Sequence, residues 1–189
     1  MKICFVDTET TGAEPAEDYS IFEIACILDI DGKFESRFCM NARPIDGQKI
    51  DPEALQTTRK TEEEIRSYKN SQKDLYECFY EWCGIHVDPF NKKDKMHFCG
   101  YNSGFDMNHV RELFNRHKNI YFGSLFWFPD IDVMRVAAWA LMKERTKLSN
   151  FKLYTVAGAM GLDVKVGNFH NAMYDTRVVR QMYYYLEGK

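Results

Sequence analysis

The sequence predicts an α/β fold in which helices cover a mixed β-sheet. Three stretches near the N-terminus, "KICFVDTE" (2–9), "IFEIACILDI" (21–30) and "KFESRFCM" (33–40), have the composition of strands. Asp31 and Gly32 separate the last two and have the turn chemistry of a hairpin. Strand-like and helix-like stretches then alternate. An antiparallel meander followed by such alternation is typical of a mixed sheet flanked by helices.

Helical patterns dominate the middle and the end of the chain. Residues 51–70 and 75–85 place charged side chains between apolar ones, and residues 86–95 are predicted to form a polar loop. Two more strand candidates are "MHFCGY" (96–101) and "FWFPDIDV" (126–133), the second being either a strand or a connection. The remaining helical stretches are 105–117, 134–143, 153–162 and 171–186.

Composition favours one compact domain spanning residues 1–189. Hydrophobic residues make up 45% of the 189 residues, which is enough for a single core. The formal net charge of −3 lacks the basic excess of many nucleic-acid-binding proteins, so a polyanionic partner is disfavoured unless bound metal supplies positive charge. The six cysteines form no CxxC pair, which favours a reduced, cytoplasmic setting. We expect neither a signal peptide nor a membrane-spanning segment.

Two acids at the end of the first strand candidate, Asp7 and Glu9, form the first candidate site. Because side chains alternate along a strand, both carboxylates share a face with Ile3 and Phe5. Carboxylates this close repel each other, and burial makes their ionisation more costly unless a cation neutralises them. The alternative interpretation is that the strand ends at Val6 and that both acids are solvated in a turn.

Two further acids lie at helical positions. Asp175 falls on the apolar stripe of the last helix, three residues after Ala172 and four before Val179. It is predicted either to be functional or to be a paired ion at the edge of the stripe. Asp106 follows "GYNSGF" at a probable helix start, where capping of the helix is the stronger interpretation of this residue taken alone.

Acids that converge in this way predict a metal centre. Their hard oxygen ligands suit Mg²⁺ or Mn²⁺, and four acids provide for two ions, the arrangement that supports phosphodiester cleavage. His170, five residues before Asp175, is a candidate general base. The other histidines have weaker cases, and His109 and His117 are predicted to lie on a helix surface.

Three motifs together resemble those of a known enzyme family. They are "FVDTETTG" (5–12), "GYNSGFDMNHV" (100–110) and "HNAMYDT" (170–176), and they are similar, in this order, to the motifs of the DEDDh 3′-to-5′ exonucleases. That family includes the epsilon subunit of bacterial DNA polymerase III, ribonuclease T and oligoribonuclease. The resemblance runs from about residue 2 to residue 186. It implies a ribonuclease H-like fold with a mixed five-stranded sheet, an antiparallel meander followed by parallel strands.

The resemblance also implies roles for the candidate residues. Asp7, Glu9 and Asp175 would hold the first of two Mg²⁺ or Mn²⁺ ions, and Asp7 would bridge to the second. Asp106 would support the second ion through water. His170 would act as the base.

Contacts to the substrate are predicted beside the first two motifs. By position in the family, Thr8, Thr10 and Gly12 would lie near the 3′-terminal nucleotide, although Thr10 and Gly12 are equally well explained as turn formers. Tyr101 and Phe105 offer rings on which bases could stack, or they belong to the core. Positive charge for gripping the strand is available in "NKKDK" (91–95), in "KERTK" (143–147) and at Lys152.

Some features depart from the family pattern. Ala13 and the acidic insert "EPAEDYS" (14–20) follow Gly12 where many relatives have a large apolar residue, so unaided melting of a paired end is not expected. We find no long tail after the third motif and no clamp-binding sequence. A stand-alone nuclease is therefore expected rather than a proofreading subunit.

The sequence predicts a metal-dependent exonuclease that removes mononucleotides from the 3′ end of single-stranded nucleic acid, with DNA favoured over RNA. The alternatives are an RNA-trimming exoribonuclease, a catalytically weak nucleic-acid-binding domain on the same fold, and a mixed α/β protein with structural carboxylates. The sequence leaves the oligomeric state open.

Overall fold

The structure is a computed structural model that describes residues 1–13 and 16–188. Glu14 and Pro15, part of the predicted acidic insert, lie outside the described residues, as does Lys189. The strands are β1 (Lys2–Thr10), β2 (Ile21–Ile30), β3 (Lys33–Asn41), β4 (Met96–Gly100) and β5 (Phe126–Asp132).

These strands form one mixed sheet in the order β3-β2-β1-β4-β5. The first three pair antiparallel, whereas β4 runs parallel to β1 and β5 runs parallel to β4. The predicted α/β fold with a mixed five-stranded sheet is therefore confirmed. The stretch that could be a strand or a connection forms the edge strand β5.

Helices cover both faces of the sheet. Within the described residues they are α1 (Pro52–Thr58), α2 (Glu62–Arg66), α3 (Gln72–His86), α4 (Ser103–Arg116), α5 (Phe122–Leu125), α6 (Val133–Ala140), α7 (Leu153–Ala159) and α8 (Ala172–Glu187). Short 3-10 turns occur at Ala16–Asp18, Met142–Lys147 and Val166–Asn168. Side chains cap several helix starts: Asp51 caps α1, Thr61 caps α2 and Ser71 caps α3.

Alternation along β1 divides the core into two layers. Cys4 and Val6 point into a layer packed with side chains of α3 and α4, whereas Ile3 and Phe5 point into a layer packed with α6, α7 and α8. Because Asp7 and Glu9 continue the second series, they emerge on the face that α8 covers. The helix itself packs on β1 and β2.

Two other features bear on the predictions. The six cysteines are all free thiols. Among the described helices, none combines the length and the apolar character needed to cross a membrane.

Candidate metal-binding active site

Asp7 and Glu9 lie within β1, which continues to Thr10. Their Cα partners on the neighbouring strand β2 are Ala25 and Glu23. Glu9 is only 8% exposed and Asp7 is half-buried. The interpretation that the strand ends before these acids is therefore wrong, because the antiparallel ladder holds both of them in extended backbone.

Asp106 approaches the same end of β1 from the first turn of α4. The N-cap of this helix is Asn102, so capping does not explain Asp106. Its side chain is 4% exposed, and its Oδ1 accepts hydrogen bonds from the backbone N of Thr8 at 2.9 Å and from the Thr8 hydroxyl at 2.7 Å. Thr8 thus ties the second motif to the first.

Asp175 and His170 come from the start of α8. The helix is capped by Asn171, whose Oδ1 accepts from the backbone N of Tyr174 at 3.0 Å. Asp175 is buried, and its Oδ2 accepts from the backbone N of His170 at 3.1 Å. The other oxygen, Oδ1, is buried without a hydrogen-bond partner among the described residues. His170 is exposed and has a φ of 68°, a left-handed conformation that non-glycine residues rarely adopt.

The structure brings the five predicted residues together. Glu9, His170 and Asp175 each offer a ligand atom, and these atoms lie within 4.8 Å of one another. Asp7 lies close enough to Asp106, Glu9 and Asp175 for all three carboxylates to raise its pKa. Carboxylate and imidazole groups from three distant segments therefore converge at the end of β1.

Burial makes ionisation of this cluster unfavourable. It raises the pKa of Glu9 to about 8, assisted by repulsion from Asp175. Burial also raises the pKa values of Asp106 and Asp175 to about 7, although hydrogen bonds from Thr8 and His170 respectively oppose the two increases. The pKa of Asp7 is raised well above its ordinary value, first by burial and then by the neighbouring carboxylates.

Glu23 is a fifth acid that the sequence analysis did not single out. It lies on β2, is 6% exposed, and contributes to the raised pKa values of Asp7, Glu9 and Asp175. Asn171 approaches its Oε1 with a long contact of 3.4 Å. Like Asp7 and Glu9, Glu23 is an acid within an apolar strand, and this pattern could have identified it. Its position beside the other acids, however, follows only from the register between β1 and β2.

The donor set fits a divalent cation. Across the described residues, no ion pair reaches Asp7, Glu9, Asp106 or Asp175, and one oxygen of Asp175 is buried without a partner. Buried carboxylates without cationic partners are strongly disfavoured unless they bind protons or metal. Oxygen ligands of this kind suit Mg²⁺ or Mn²⁺.

The residues that follow the first motif are already engaged within the protein. The hydroxyl of Thr10 donates to the carbonyl of Gly12 at 2.7 Å, as a turn former would. A Cβ added to Gly12 would lie 2.1 Å from Cε1 of Tyr19, so the backbone passes close to this ring. Substrate contacts of Thr8, Thr10 and Gly12 stay predictions.

The aromatic residues of the second motif are partly buried. The Tyr101 hydroxyl donates to the carbonyl of Phe151 at 2.7 Å, and the Phe105 ring lies 4.5 Å from the ring of His109. His109 itself is 2% exposed, so its predicted position on a helix surface is wrong. α4 buries a broader face than its apolar pattern indicates. Stacking of bases on Tyr101 and Phe105 stays a prediction.

Comparison with known families adds the decisive observation. The RNase T family, described as exonuclease, matches residues 4–183. The chain belongs to this exonuclease family. The match confirms the predicted resemblance to 3′-to-5′ exonucleases and the predicted class of enzyme, a phosphodiester hydrolase. All five residues of the acidic and histidine cluster fall inside the matched range.

Solved structures of Escherichia coli exonuclease I have the same fold. The zinc-bound complex with single-stranded DNA matches 99% of this chain with 20% identity and a TM-score of 0.79. The complex with a dT13 oligonucleotide matches 96% of it with 20% identity and a TM-score of 0.75. The chain covers only about 40% of the length of either exonuclease I chain. This exonuclease-family chain therefore corresponds in length to one part of those enzymes.

Proposed function

We propose that this chain removes mononucleotides from the 3′ end of single-stranded DNA by hydrolysis that depends on two divalent metal ions, with His170 as the general base. The observation that carries the proposal is the convergence of Asp7, Glu9, Asp106 and Asp175 beside His170, without a cation from the described residues. Structural carboxylates alone would leave this convergence unexplained, because an acid that only stabilises a fold is normally paired.

The four acids would hold the metal ions in this proposal. Asp7, Glu9 and Asp175 would hold one ion, and Asp106, together with Asp7, would hold the other. When bound, divalent ions supply the positive charge that lowers the pKa of an attacking water and stabilises the leaving oxygen. Thr8 fixes one oxygen of Asp106 through two hydrogen bonds, which restricts the orientation of this side chain.

His170 takes the proton from the attacking water. Its side chain is exposed at the mouth of the cluster, where a substrate can reach it. Desolvation lowers its pKa below the ordinary 6.5, and the charges of Arg59 and Lys152 lower it further. The imidazole is therefore neutral near pH 7 and can accept a proton. The hydrogen bond from its backbone N to Asp175 keeps this residue beside the acids.

Single-stranded DNA is the favoured substrate because the similar exonuclease I structures contain it. RNA is the second candidate, since the motifs also resemble those of ribonuclease T and oligoribonuclease, and the choice between DNA and RNA depends on how the site meets the 2′-hydroxyl. We further propose that residues 1–189 act as one domain. The six free thiols support a reduced, cytoplasmic setting.

Digestion of 5′-labelled oligonucleotides tests the proposal. We expect a ladder that shortens from the 3′ end of single-stranded DNA in Mg²⁺ or Mn²⁺, and no ladder in EDTA. Asp7→Ala should abolish cleavage, whereas Asp46→Ala, which changes an exposed acid outside the cluster, should leave it unchanged. Equal digestion of DNA and RNA, or of RNA alone, would replace the DNA preference. Metal binding without cleavage of either would favour the nucleic-acid-binding alternative.

A further inference from the structure

A cleft opens directly beside His170. It has a volume of about 510 Å³ and lies between the end of α1 and the start of α8. Its basic lining residues are Arg59, Lys60 and Arg177, and Glu23 is its acidic one. Arg59 is exposed and reaches across the cleft to donate to the carbonyl of Gly167 at 3.1 Å.

A second cleft continues from the first along α8. Its volume is about 280 Å³, and it lies between α8 and the edge strand β3. Arg177 lines both clefts, so the two meet at this residue. The second cleft adds Arg37, Arg180 and the aromatic ring of Phe34, which is 57% exposed. Together the two clefts form one groove, here called the arginine groove.

The edge strand explains why this groove is open. Because α8 packs mainly on β1 and β2, the side chains of β3 on the same face lie beside the helix at the edge of the sheet. Arg37 and Cys39 are exposed there. Desolvation and Glu23 raise the pKa of the Cys39 thiol, whereas Arg37 and Arg177 lower it, so both guanidinium groups lie near one point on β3.

Part of the positive charge of the groove is uncompensated. Arg180 pairs with Asp29 at 2.7 Å and Lys60 with Glu64 at 2.5 Å, but neither Arg37 nor Arg177 forms an ion pair with any described residue. Four arginines and Lys60 therefore line a groove whose one lining acid is Glu23, in a chain whose formal net charge is −3. Positive charge concentrated on one track of an acidic protein indicates a polyanionic ligand.

We propose that the arginine groove binds the part of the substrate strand that lies 5′ of the cleaved bond. The groove begins beside His170, so a strand bound in it would have its phosphodiester backbone close to the acids. Arg177 and Arg37 would contact successive phosphates. Phe34 offers a face for a base, since grooves that bind single strands combine cations with aromatic platforms. This inference rests on the proposed function, because it takes the acid cluster as the position of the 3′ end.

The dimensions of the groove suit a short stretch of strand. From Asn171 to Gln181 the helix advances about 15 Å at ~1.5 Å per residue. This length spans a few nucleotides of a single strand.

Binding in EDTA tests the inference separately from catalysis. The affinity of a 5′-fluorescent 12-nucleotide DNA is measured by anisotropy over a range of salt concentrations for wild type and for Arg37→Ala/Arg177→Ala. We expect the double variant to bind about 10-fold more weakly and its salt slope to fall by about 1.4, since each lost contact to a single strand removes about 0.7. Arg111→Ala is the control. Arg111 is an exposed arginine outside the groove, and its guanidinium lies over the ring of Phe122, which belongs to the core layer on the other face of the sheet.

Different results would overturn the assignment of the groove and the proposed function. If the double variant binds with the affinity and salt slope of Arg111→Ala while wild-type protein digests DNA, the groove assignment is overturned and the proposed function stands. If wild type binds DNA through the groove but does not digest it in metal, the proposed function fails. The double variant should lose more activity on a long strand than on a dinucleotide, and an equal loss on short and long substrates would contradict a contact that lies 5′ of the cleaved bond.

Discussion

Glu9 and Glu23 stand directly opposite each other on the paired strands β1 and β2. Both side chains are buried, and burial raises the pKa of each. Like charges opposite each other in a sheet are destabilising, so the pair is tolerated only if protons or a cation reduce the repulsion. The stability of the protein should therefore depend on pH and on bound metal.

The stability of the metal-free protein should fall as the pH rises. The pKa values of Glu9, Asp106 and Asp175 are raised from 4.5 and 3.8 to between about 7 and about 8 in the folded state. Because the folded state holds these protons more tightly than the unfolded state, the free energy of unfolding decreases between about pH 4 and pH 8. Since one unit of pKa corresponds to up to ~1.4 kcal/mol, we expect a loss of at least ~2 kcal/mol, or at least ~4 °C in Tm, in melting curves recorded in EDTA. A Tm that rises over this interval would contradict the raised pKa values.

Two substitutions of the facing pair should separate repulsion from metal binding. Glu23→Gln and Glu9→Gln each remove one buried charge, so we expect each to raise the metal-free Tm at pH 8 by about 2–4 °C. Only Glu9 belongs to the predicted ligand set. Addition of Mg²⁺ or Mn²⁺ should therefore still raise the Tm of Glu23→Gln, whereas the response of Glu9→Gln should be weakened. Identical metal responses in the two variants would remove Glu9 from the ligand set.

His170→Ala should lose turnover and keep metal binding. Loss of a general base typically lowers kcat by about 10²–10⁴-fold. Because the pKa of His170 is lowered, wild-type activity should rise with pH to a plateau whose midpoint lies below 6.5, and the variant should lack this step. His117→Ala, which changes a half-buried histidine outside the cluster, is the control. Unchanged turnover in His170→Ala would exclude this residue as the base.

Thr8→Val should disturb Asp106 without removing an acid. The substitution deletes the hydroxyl bond at 2.7 Å but keeps the backbone bond at 2.9 Å. We expect a loss of about 1 kcal/mol in stability and a weaker Mn²⁺ affinity, measured by thermal melting and calorimetry. Thr8→Ser retains the hydroxyl and should restore both quantities. If Thr8→Val binds Mn²⁺ as wild type does, this hydrogen bond does not orient a metal ligand.

The sequence was sufficient to predict the features that depend on local pattern. The alternation of Ile3, Phe5, Asp7 and Glu9 predicts one face of a strand, and the spacing of Asp175 predicts the buried side of α8. The order of the three motifs then predicted that His170 lies at the same site. These predictions succeeded because side-chain direction follows from the period of a strand or a helix.

Other features depend on contacts that local pattern does not contain. Glu23 joins the cluster because of the β1–β2 register, and Thr8 contacts Asp106 across 98 positions of the chain. Arg37 and Arg177 share a groove because α8 packs beside the edge strand β3, whereas the lysine-rich stretches were the predicted source of positive charge. Burial of His109 likewise follows from how broadly α4 packs.

Calorimetric titration of Mn²⁺ into the metal-free protein at pH 8 tests the central claim most directly, because the claim is that the converging acids form a metal centre. We expect two ions to bind per chain with release of protons from the acids, and we expect Asp7→Ala to lose most of this binding. Absence of Mn²⁺ and Mg²⁺ binding to folded wild-type protein, or equal binding by Asp7→Ala, would contradict the account.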